Sequence, residues 1–472
     1  METAVDLTKY TSLSGAKLVR YILAKLPNPL ELHSYQEEGI CQVLDGEDVL
    51  ATMATGAGKT GLLSLLMIVI HELSKNSTLT IGELLFPQSP CMIIVCPTKA
   101  LEHDMSIRMT DFGLQTIVIN RDTLADAWSQ KRDLWNEARQ APDALLLSPE
   151  ELATDECRQL FNDKTFAART TVLAVDEIHL LYYWGQSFEQ IGIAHAWFSH
   201  WIPLIGITAT LWSGKVLAAI EHTLGLNPGH YHLLWCSNMH YDIQLIFHSL
   251  QSGLGSMSFP ELLWLLDSER NTVVFCKMIS LGFCVAYFLW NAAIERQLPN
   301  IDRHICLYNS FNWQSYNLAT LGFLNDNSSA SITIATDVLS VGWDSQFTQD
   351  AVILGETENV DEYVQKIGRV GRNPRAVSDP RAFLYHTKGA TQKAKQMVKK
   401  TASGEETGMS TSGTKAEEVK SDTGSRLERS MALLLLATCK VATLDSLYDN
   451  PQNDPPCLCQ QCQANPLSTH PS

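Results

Sequence analysis

Apolar residues are not spread evenly along this 472-residue chain; they gather in short runs, each ending in a polar or glycine-bearing cluster. Between Val49 and Thr210 the runs are EDVL, CMIIVCP, ALLLSP, TTVLAVDE and LIGITAT, with helical spacers between them. A second series begins at about Asn271: NTVVFCK, RHICLY, SITIATDV, DAVILGE and RAFLYH. Strands that are apolar throughout, rather than alternating, belong to parallel sheets covered on both faces. The order predicts two doubly wound α/β lobes, over 31–236 and 237–388, joined near Ser237–Gln251 and preceded by an N-terminal extension, 1–30. In such sheets ligand-binding residues collect beyond the carboxyl ends of the strands. Past His386 large apolar residues thin out and Ser, Thr, Gly, Lys and Glu take over, which predicts a flexible linker over 389–428. A short helical stretch around Met431–Ala437 and a cysteine cluster then form a last module, 429–472.

Composition changes this picture little, and charge changes it more. The apolar fraction, 45%, is that of a globular protein. The start METAVDLTKYTSLSG lacks the regions of a signal peptide, and the longest apolar run, Leu62–Ile70, is too short for a membrane span. Twelve cysteines without a secretory signal predict reduced thiols in the cytosol or nucleus. A net charge of −16 is unfavourable for a general nucleic-acid binder. Contact with DNA or RNA must then come from a local basic or aromatic surface.

The candidate chemistry starts at ATMATGAGKT, Ala51 to Thr60. The loop Thr55, Gly56, Ala57, Gly58 can bring backbone N–H groups close to an anion, Lys59 adds a charge for the β/γ-phosphates, and the Thr60 hydroxyl suits Mg²⁺. The pattern GxxxxGK(S/T) is met except at its first position, where Met53 replaces glycine. Asp176 and Glu177 end a buried strand, and adjacent carboxylates there are costly unless they serve a cation or a water. In a P-loop enzyme the first holds Mg²⁺ and the second polarises the attacking water. Arg369 and Arg372 in YVQKIGRVGRN are three apart and are expected to share the face of a helical turn, either around a γ-phosphate or as a solvated basic turn. Trp184 and Phe188, at i and i+4, read as core aromatics or as a base-stacking platform. Cys439, Cys457, Cys459 and Cys462 could close a structural Zn²⁺ tetrahedron, against a reading as unligated thiols.

In order, the Walker A loop, DExH box, TAT, ATDV…GWD and QxxGRxGR resemble a superfamily 2 helicase motor. DEIHLLYYWGQSFE is similar, without a gap, to the aromatic-rich loop DEAHxxSxWGxDFR of RecQ helicases, and the resemblance runs from Leu32 to Cys462. It implies two RecA-like lobes with ATP and Mg²⁺ in the cleft between them. It also implies a 3′-to-5′ DNA helicase acting in recombination or repair in the nucleus. By this resemblance His33 and Gln36 of LHSYQ contact adenine, while PTKAL (Pro97–Leu101) and SPEEL (Ser148–Leu152) track the strand. Trp184 and Phe188 couple DNA to hydrolysis, and Thr208, Ala209 and Thr210 link nucleotide state to lobe movement. Thr336, Asp337, Gly342 and Asp344 fall in motif V, with Asp344 at the nucleotide, and Gln365, Gly368, Arg369, Gly371 and Arg372 in motif VI.

Three departures stand out: His33 where RecQ proteins have Arg, Glu189 where the aromatic-rich loop has Arg, and Ile178 in place of the Ala of DEAH. The terminal cysteines resemble the RecQ zinc module with its first loop gap one residue shorter, CxCxxC. The ten residues after Cys462 leave no room for winged-helix or HRDC modules. The alternatives are an RNA-dependent ATPase, favoured by PTKAL and ATDV, and a decayed nucleotide-binding scaffold, favoured by Glu189.

Overall fold

The structure, a computed structural model, describes residues 9–26, 32–81, 86–140, 142–184, 186–198, 200–326, 330–336, 339, 345–373, 375–402 and 427–451; of these, 77, 183–184, 186–190 and 400–402 are described by backbone alone. They fall into two compact units. The first is Met1–Asn238 with Tyr448–Pro451, and the described part of the second lies within Met239–Leu447.

In the first unit the strands are β1 (Val49–Thr52), β2 (Cys91–Val95), β3 (Thr116–Ile119), β4 (Ala144–Leu147), β5 (Thr170–Asp176), β6 (Leu204–Thr208) and β7 (His232–Trp235). They form one sheet in the order β3-β4-β2-β5-β6-β1-β7, every pair parallel. Successive side chains of β2 show why the run is apolar throughout. Met92 and Ile94 enter one core layer with the helix Lys59–Lys75, while Cys91, Ile93 and Val95 enter the layer on the opposite face. The helix itself is buried almost all round from Leu62 to Ile70, where Ser64 alone interrupts the apolar run and its hydroxyl donates to Thr60 O.

The segment expected as an N-terminal extension is part of this unit. Ser12 Oγ caps the helix Leu13–Leu23 by accepting from Gly15 N, and Val19, Ile22 and Leu23 are buried in the first core layer. Tyr10 is buried beside them; its N–H donates to Asp45 Oδ1 at 2.6 Å and its hydroxyl accepts from Ile81 N at 3.2 Å. The apolar spacing of this helix marks a face that needs covering, and the lobe covers it.

In the second unit the strands are β8 (Gln244–Ser249), β9 (Thr272–Cys276), β10 (Ile305–Tyr308), β11 (Ile332–Ala335), β12 (Asp350–Leu354) and β13 (Arg381–His386). Their order is β10-β11-β9-β12-β13-β8, again all parallel. The stretch Ser237–Gln251, expected as a joint, contains β8, which pairs with β13 from Gln244↔Arg381 to Ser249↔His386. Asp350 opens β12 with a buried carboxylate that receives Arg270 Nε at 3.0 Å and Arg381 Nη2 at 2.6 Å, the pairing a buried charge requires.

The expected linker over 389–428 begins instead as a helix, Ala390–Ala402. Its Lys, Gln and Ala residues are good helix formers, and Ala390 and Ala394 give it a small buried face against the helix Arg429–Leu436. Residues 403–426 lie outside the described residues. The helix Arg429–Leu436 covers the expected stretch Met431–Ala437 to within a residue or two, and Lys440 Nζ closes its end by donating to the carbonyls of Leu434, Leu435 and Ala437. Among the described residues no helix is long and apolar enough to cross a membrane.

Candidate nucleotide site

β1 delivers the chain into a loop, 53–58, and the helix Lys59–Lys75 starts directly after it. Gly56 and Gly58 both have φ of +81°, a left-handed backbone that glycine adopts without steric cost. At Gly58 there is a second reason: a Cβ would lie 2.6 Å from Gln36 Nε2. Met53, the departure from the glycine pattern, is not left-handed; its side chain is buried in the core and its N–H donates to Thr208 O at 3.0 Å. The first loop position here faces the core rather than an anion, so a side chain fits.

The loop is braced by LHSYQ. Tyr35 OH donates to Ala57 O at 2.7 Å, and Gln36 Nε2 donates to Gly58 O at 3.0 Å. Because a peptide is planar, drawing these carbonyls toward the brace turns the N–H groups of Gly58 and Lys59 the opposite way. A nest of N–H groups at a helix start is an anion cradle. Gln36 Oε1 also accepts from His33 N at 3.1 Å, so both ends of the predicted adenine reader are engaged. His33 is exposed and its ring stacks on Tyr35 with centroids 5.1 Å apart.

Across from the loop, β5 ends in Asp176, and Glu177 follows with φ of +49°. Lys59 Nζ lies 3.7 Å from Glu177 Oε1. The other carboxylate oxygen, Oε2, accepts from Thr208 Oγ1 at 3.4 Å and lies 3.3 Å from His179 Nδ1, which is 2.7 Å from the same hydroxyl. Thr210 N donates to Thr208 Oγ1 at 3.2 Å, so the TAT segment and the DEIH box form one hydrogen-bonded cluster. Burial, and then the neighbouring Glu177, push the Asp176 carboxyl above the ordinary range, with Lys59 opposing. The buried carboxylate of Asp176 and the hydroxyl of Thr60, which follows Lys59 at the helix start, are hard oxygen donors of the kind that fit Mg²⁺. Ile178 is buried against Gly206 of β6, where a Cβ would come within 3.0 Å of Ile178 Cγ2.

PTKAL and SPEEL leave the carboxyl ends of β2 and β4, where Thr98 Oγ1 accepts from Leu101 N at 3.4 Å and Ser148 precedes the turn Pro149–Ala153. Next to PTKAL the structure adds a residue that sequence reasoning missed. Glu102 is fully buried, takes a hydrogen bond from Asn120 Nδ2, and has its carboxyl pushed up to about 7, chiefly by burial. In the sequence it is one of three acids in the helix Lys99–Asp111, and nothing local marks it, rather than Asp104 or Asp111, as buried.

In the second unit the helix Val360–Ile367 carries Gln365 and ends at Gly368. Arg369 and Arg372 therefore follow a turn and do not share a helical face as expected. Gly371 reverses the chain with φ of +68°, and a Cβ there would meet Pro380 Cγ at 2.8 Å. Arg369 is buried, and Arg372 Nε donates to Gly368 O at 2.9 Å. Thr336 follows β11 and is buried; Asp337, Gly342 and Asp344 lie outside the described residues. Trp184 ends the short helix Leu180–Trp184, and Phe188 and Glu189 lie in the helix Gln186–Ala196, so the backbone of the expected aromatic-rich loop is largely helical; these three side chains lie outside the description. Cys439 is partly exposed and its Sγ accepts from Ala442 N at 3.4 Å. Cys457, Cys459 and Cys462 lie outside the described residues, among which no group of three or more His, Cys, Asp or Glu is placed to hold a metal.

A DEAD/DEAH box helicase family profile matches residues 33–216, and a helicase conserved C-terminal domain profile matches residues 258–374. The chain is 22% identical over 343 residues to the ATP-dependent DNA helicase RecQ of Pasteurella multocida, covering 72% of this chain and 48% of that protein. It is 22% identical over 395 residues to ATP-dependent DNA helicase Q1 of Pongo abelii, covering 79% and 54%. A shorter match, 29% over 197 residues, is to the ATP-dependent RNA helicase DBP9 of Cryptococcus neoformans, covering 40% and 29%. The chain spans about half the length of the RecQ proteins it matches. Among solved structures it shares its fold with the DUF1998 helicase MrfA bound to DNA and AMPPNP, with a TM-score of 0.62 at 15% identity over 82% of this chain and 52% of that one. It likewise shares its fold with the DEAD-box helicase Mss116 bound to ssRNA and UDP-BeF, with a TM-score of 0.56 at 17% identity over 83% and 78%.

Proposed function

We propose that this chain, a superfamily 2 helicase by its two helicase domains, couples ATP hydrolysis to movement along single-stranded DNA. The observation that carries the reading is Lys59 Nζ at 3.7 Å from Glu177, beside a loop whose carbonyls are drawn back by Tyr35 and Gln36. In this reading the N–H groups of the loop and Lys59 bind the phosphates. Thr60 and Asp176 hold Mg²⁺, which supplies charge neutralisation of the phosphate oxygens. Glu177 orients and deprotonates the attacking water, and His179 with Thr208 fixes the carboxylate through hydrogen bonds. Arg369 and Arg372 serve as cationic partners of the γ-phosphate. From the RecQ likeness come the finer parts of the proposal: DNA rather than RNA, 3′-to-5′ polarity, a role in recombination or repair, a nuclear location, and zinc at Cys439, Cys457, Cys459 and Cys462.

Two substitutions separate the roles. Lys59→Ala removes phosphate charge and is expected to weaken nucleotide binding. Glu177→Gln is expected to keep binding while lowering turnover by about 10²–10⁴-fold, the range of a lost general base. Filter binding and phosphate release measure the two quantities, and wild-type turnover in Glu177→Gln would overturn the assignment. The match to an RNA helicase favours a second reading, an RNA-dependent ATPase. Stimulation of the ATPase by single-stranded RNA but not by DNA selects it.

A further inference from the structure

The helix Ile279–Glu295 is apolar on two sides. Leu281, Val285, Leu289 and Ala293 are buried in the core of the second unit, as a helix beside a sheet requires. Its other side carries Phe283, Tyr287 and Trp290, which are 49%, 57% and 36% exposed. Spacings of four and three residues place them in one stripe. A helix that is apolar all round is ordinarily buried all round.

The stripe continues across the edge of the sheet. Among the described residues β10 pairs only with β11, so one side of its backbone faces outward. Trp290 Nε1 donates to Ile305 O at 3.1 Å, Leu307 N donates to Tyr316 OH at 3.4 Å, and Asn312 Nδ2 donates to Leu307 O at 2.8 Å. These contacts close the edge to a further strand. They also fix the helix and the segment 311–316 to the same edge, where Phe311, Trp313 and Tyr316 are 81%, 85% and 40% exposed. Within a chain of net charge −16, no Asp, Glu, Lys or Arg occurs from Ile279 to Ile294 or from Ile305 to Leu324.

We propose that this surface joins two copies of the chain in a two-fold dimer. Aromatic side chains bury about 150–250 Å² each, so six at these exposures leave on the order of 700 Å² uncovered, close to the ~800 Å² per partner of a stable interface. Uncovered apolar patches of this size mark interaction sites. In a two-fold contact, residues near the axis meet their own kind, and a charged residue would meet its like. An uncharged aromatic surface is what two acidic copies require. Nucleic acid is a poor occupant, because these two segments carry no cation to displace phosphate counterions, and Arg303, which lies between them in the chain and packs on Phe323, is paired with Asp326.

Sedimentation of the full chain over a dilution series tests the contact. A dimer is expected, with Tyr287→Glu and Trp313→Glu each raising its dissociation constant more than tenfold and Tyr287→Phe leaving it unchanged. Basal ATP turnover per chain is expected to stay at the wild-type level, so a dead ATPase site and a lost dimer are separate results. A wild-type chain that stays monomeric at every concentration overturns the proposal, including one that instead captures a different protein through this face. So does a dimer that survives both glutamates. If the glutamate variants do not fold, hydrogen exchange of the wild-type chain decides: residues 283–290 are expected to gain protection on concentration, and equal exchange overturns the proposal.

Discussion

Gly206 lacks a side chain in a place where two neighbours already fill the space. A Cβ there would lie 2.8 Å from Leu50 Cδ2 and 3.0 Å from Ile178 Cγ2. Ile178 in the DEIH box is therefore accommodated by glycine on the adjacent strand, and the two positions act as one packing unit. Gly206→Ala is expected to cost about 1–3 kcal/mol by overpacking, and Ile178→Ala about 2–5 kcal/mol by leaving a cavity. The double variant should lose less than the sum, because truncating Ile178 vacates part of the space that a methyl group on Gly206 needs. Urea unfolding of the three variants measures this, and strict additivity rejects it. The residues of the phosphate cradle were legible in the sequence because their spacing is local. The bonds from Tyr35 to Ala57 and from Gln36 to Gly58 were not, since they join segments 22 residues apart. The turn at Arg369 was misread because the helix already ends at Gly368, so the three-residue spacing of the two arginines is not a helical one.

At the scale of elements, strands buried on both faces were readable and partly buried ones were not. β3, with three of its four residues only half buried, and β7 and β8 at sheet edges lack the unbroken apolar run that marks the central strands. β8 has no fully buried position along QLIFHS, so it read as a connection. The helix Ala390–Ala402 was hidden for the opposite reason: its buried contacts are made by alanines, which leave little hydrophobic signal. The helix Leu13–Leu23 carries a prediction of its own. Ile22 is buried in the first core layer, so Ile22→Ala should lower the stability of that unit by about 2–5 kcal/mol, read as a lower melting temperature. An unchanged melt would make the helix a passive attachment.

At the scale of the molecule, the net charge of −16 opposes the DNA binding of the proposed reading. Glu189 stands in the sequence where the aromatic-rich loop of RecQ helicases has Arg; in the proposed reading a DNA phosphate approaching it to roughly 5–6 Å, with an effective dielectric of ~40, would be repelled by about 1.5 kcal/mol. Glu189→Arg is expected to lower the DNA concentration that half-stimulates the ATPase several-fold, more at low salt than at high salt. Trp184→Ala should keep basal hydrolysis and lose stimulation. Stimulation unchanged in both variants would remove this segment from the coupling mechanism.

The backbone at Glu177 has a bearing on what the site costs the fold. Holding a long L-residue at φ of +49° costs on the order of 1–3 kcal/mol, and glycine or asparagine would sit there with less strain. Either residue would relieve the strain but would take from Lys59, His179 and Thr208 the carboxylate they meet. In the proposed reading this strain is the stability given up to present a water-activating carboxylate at the end of β5.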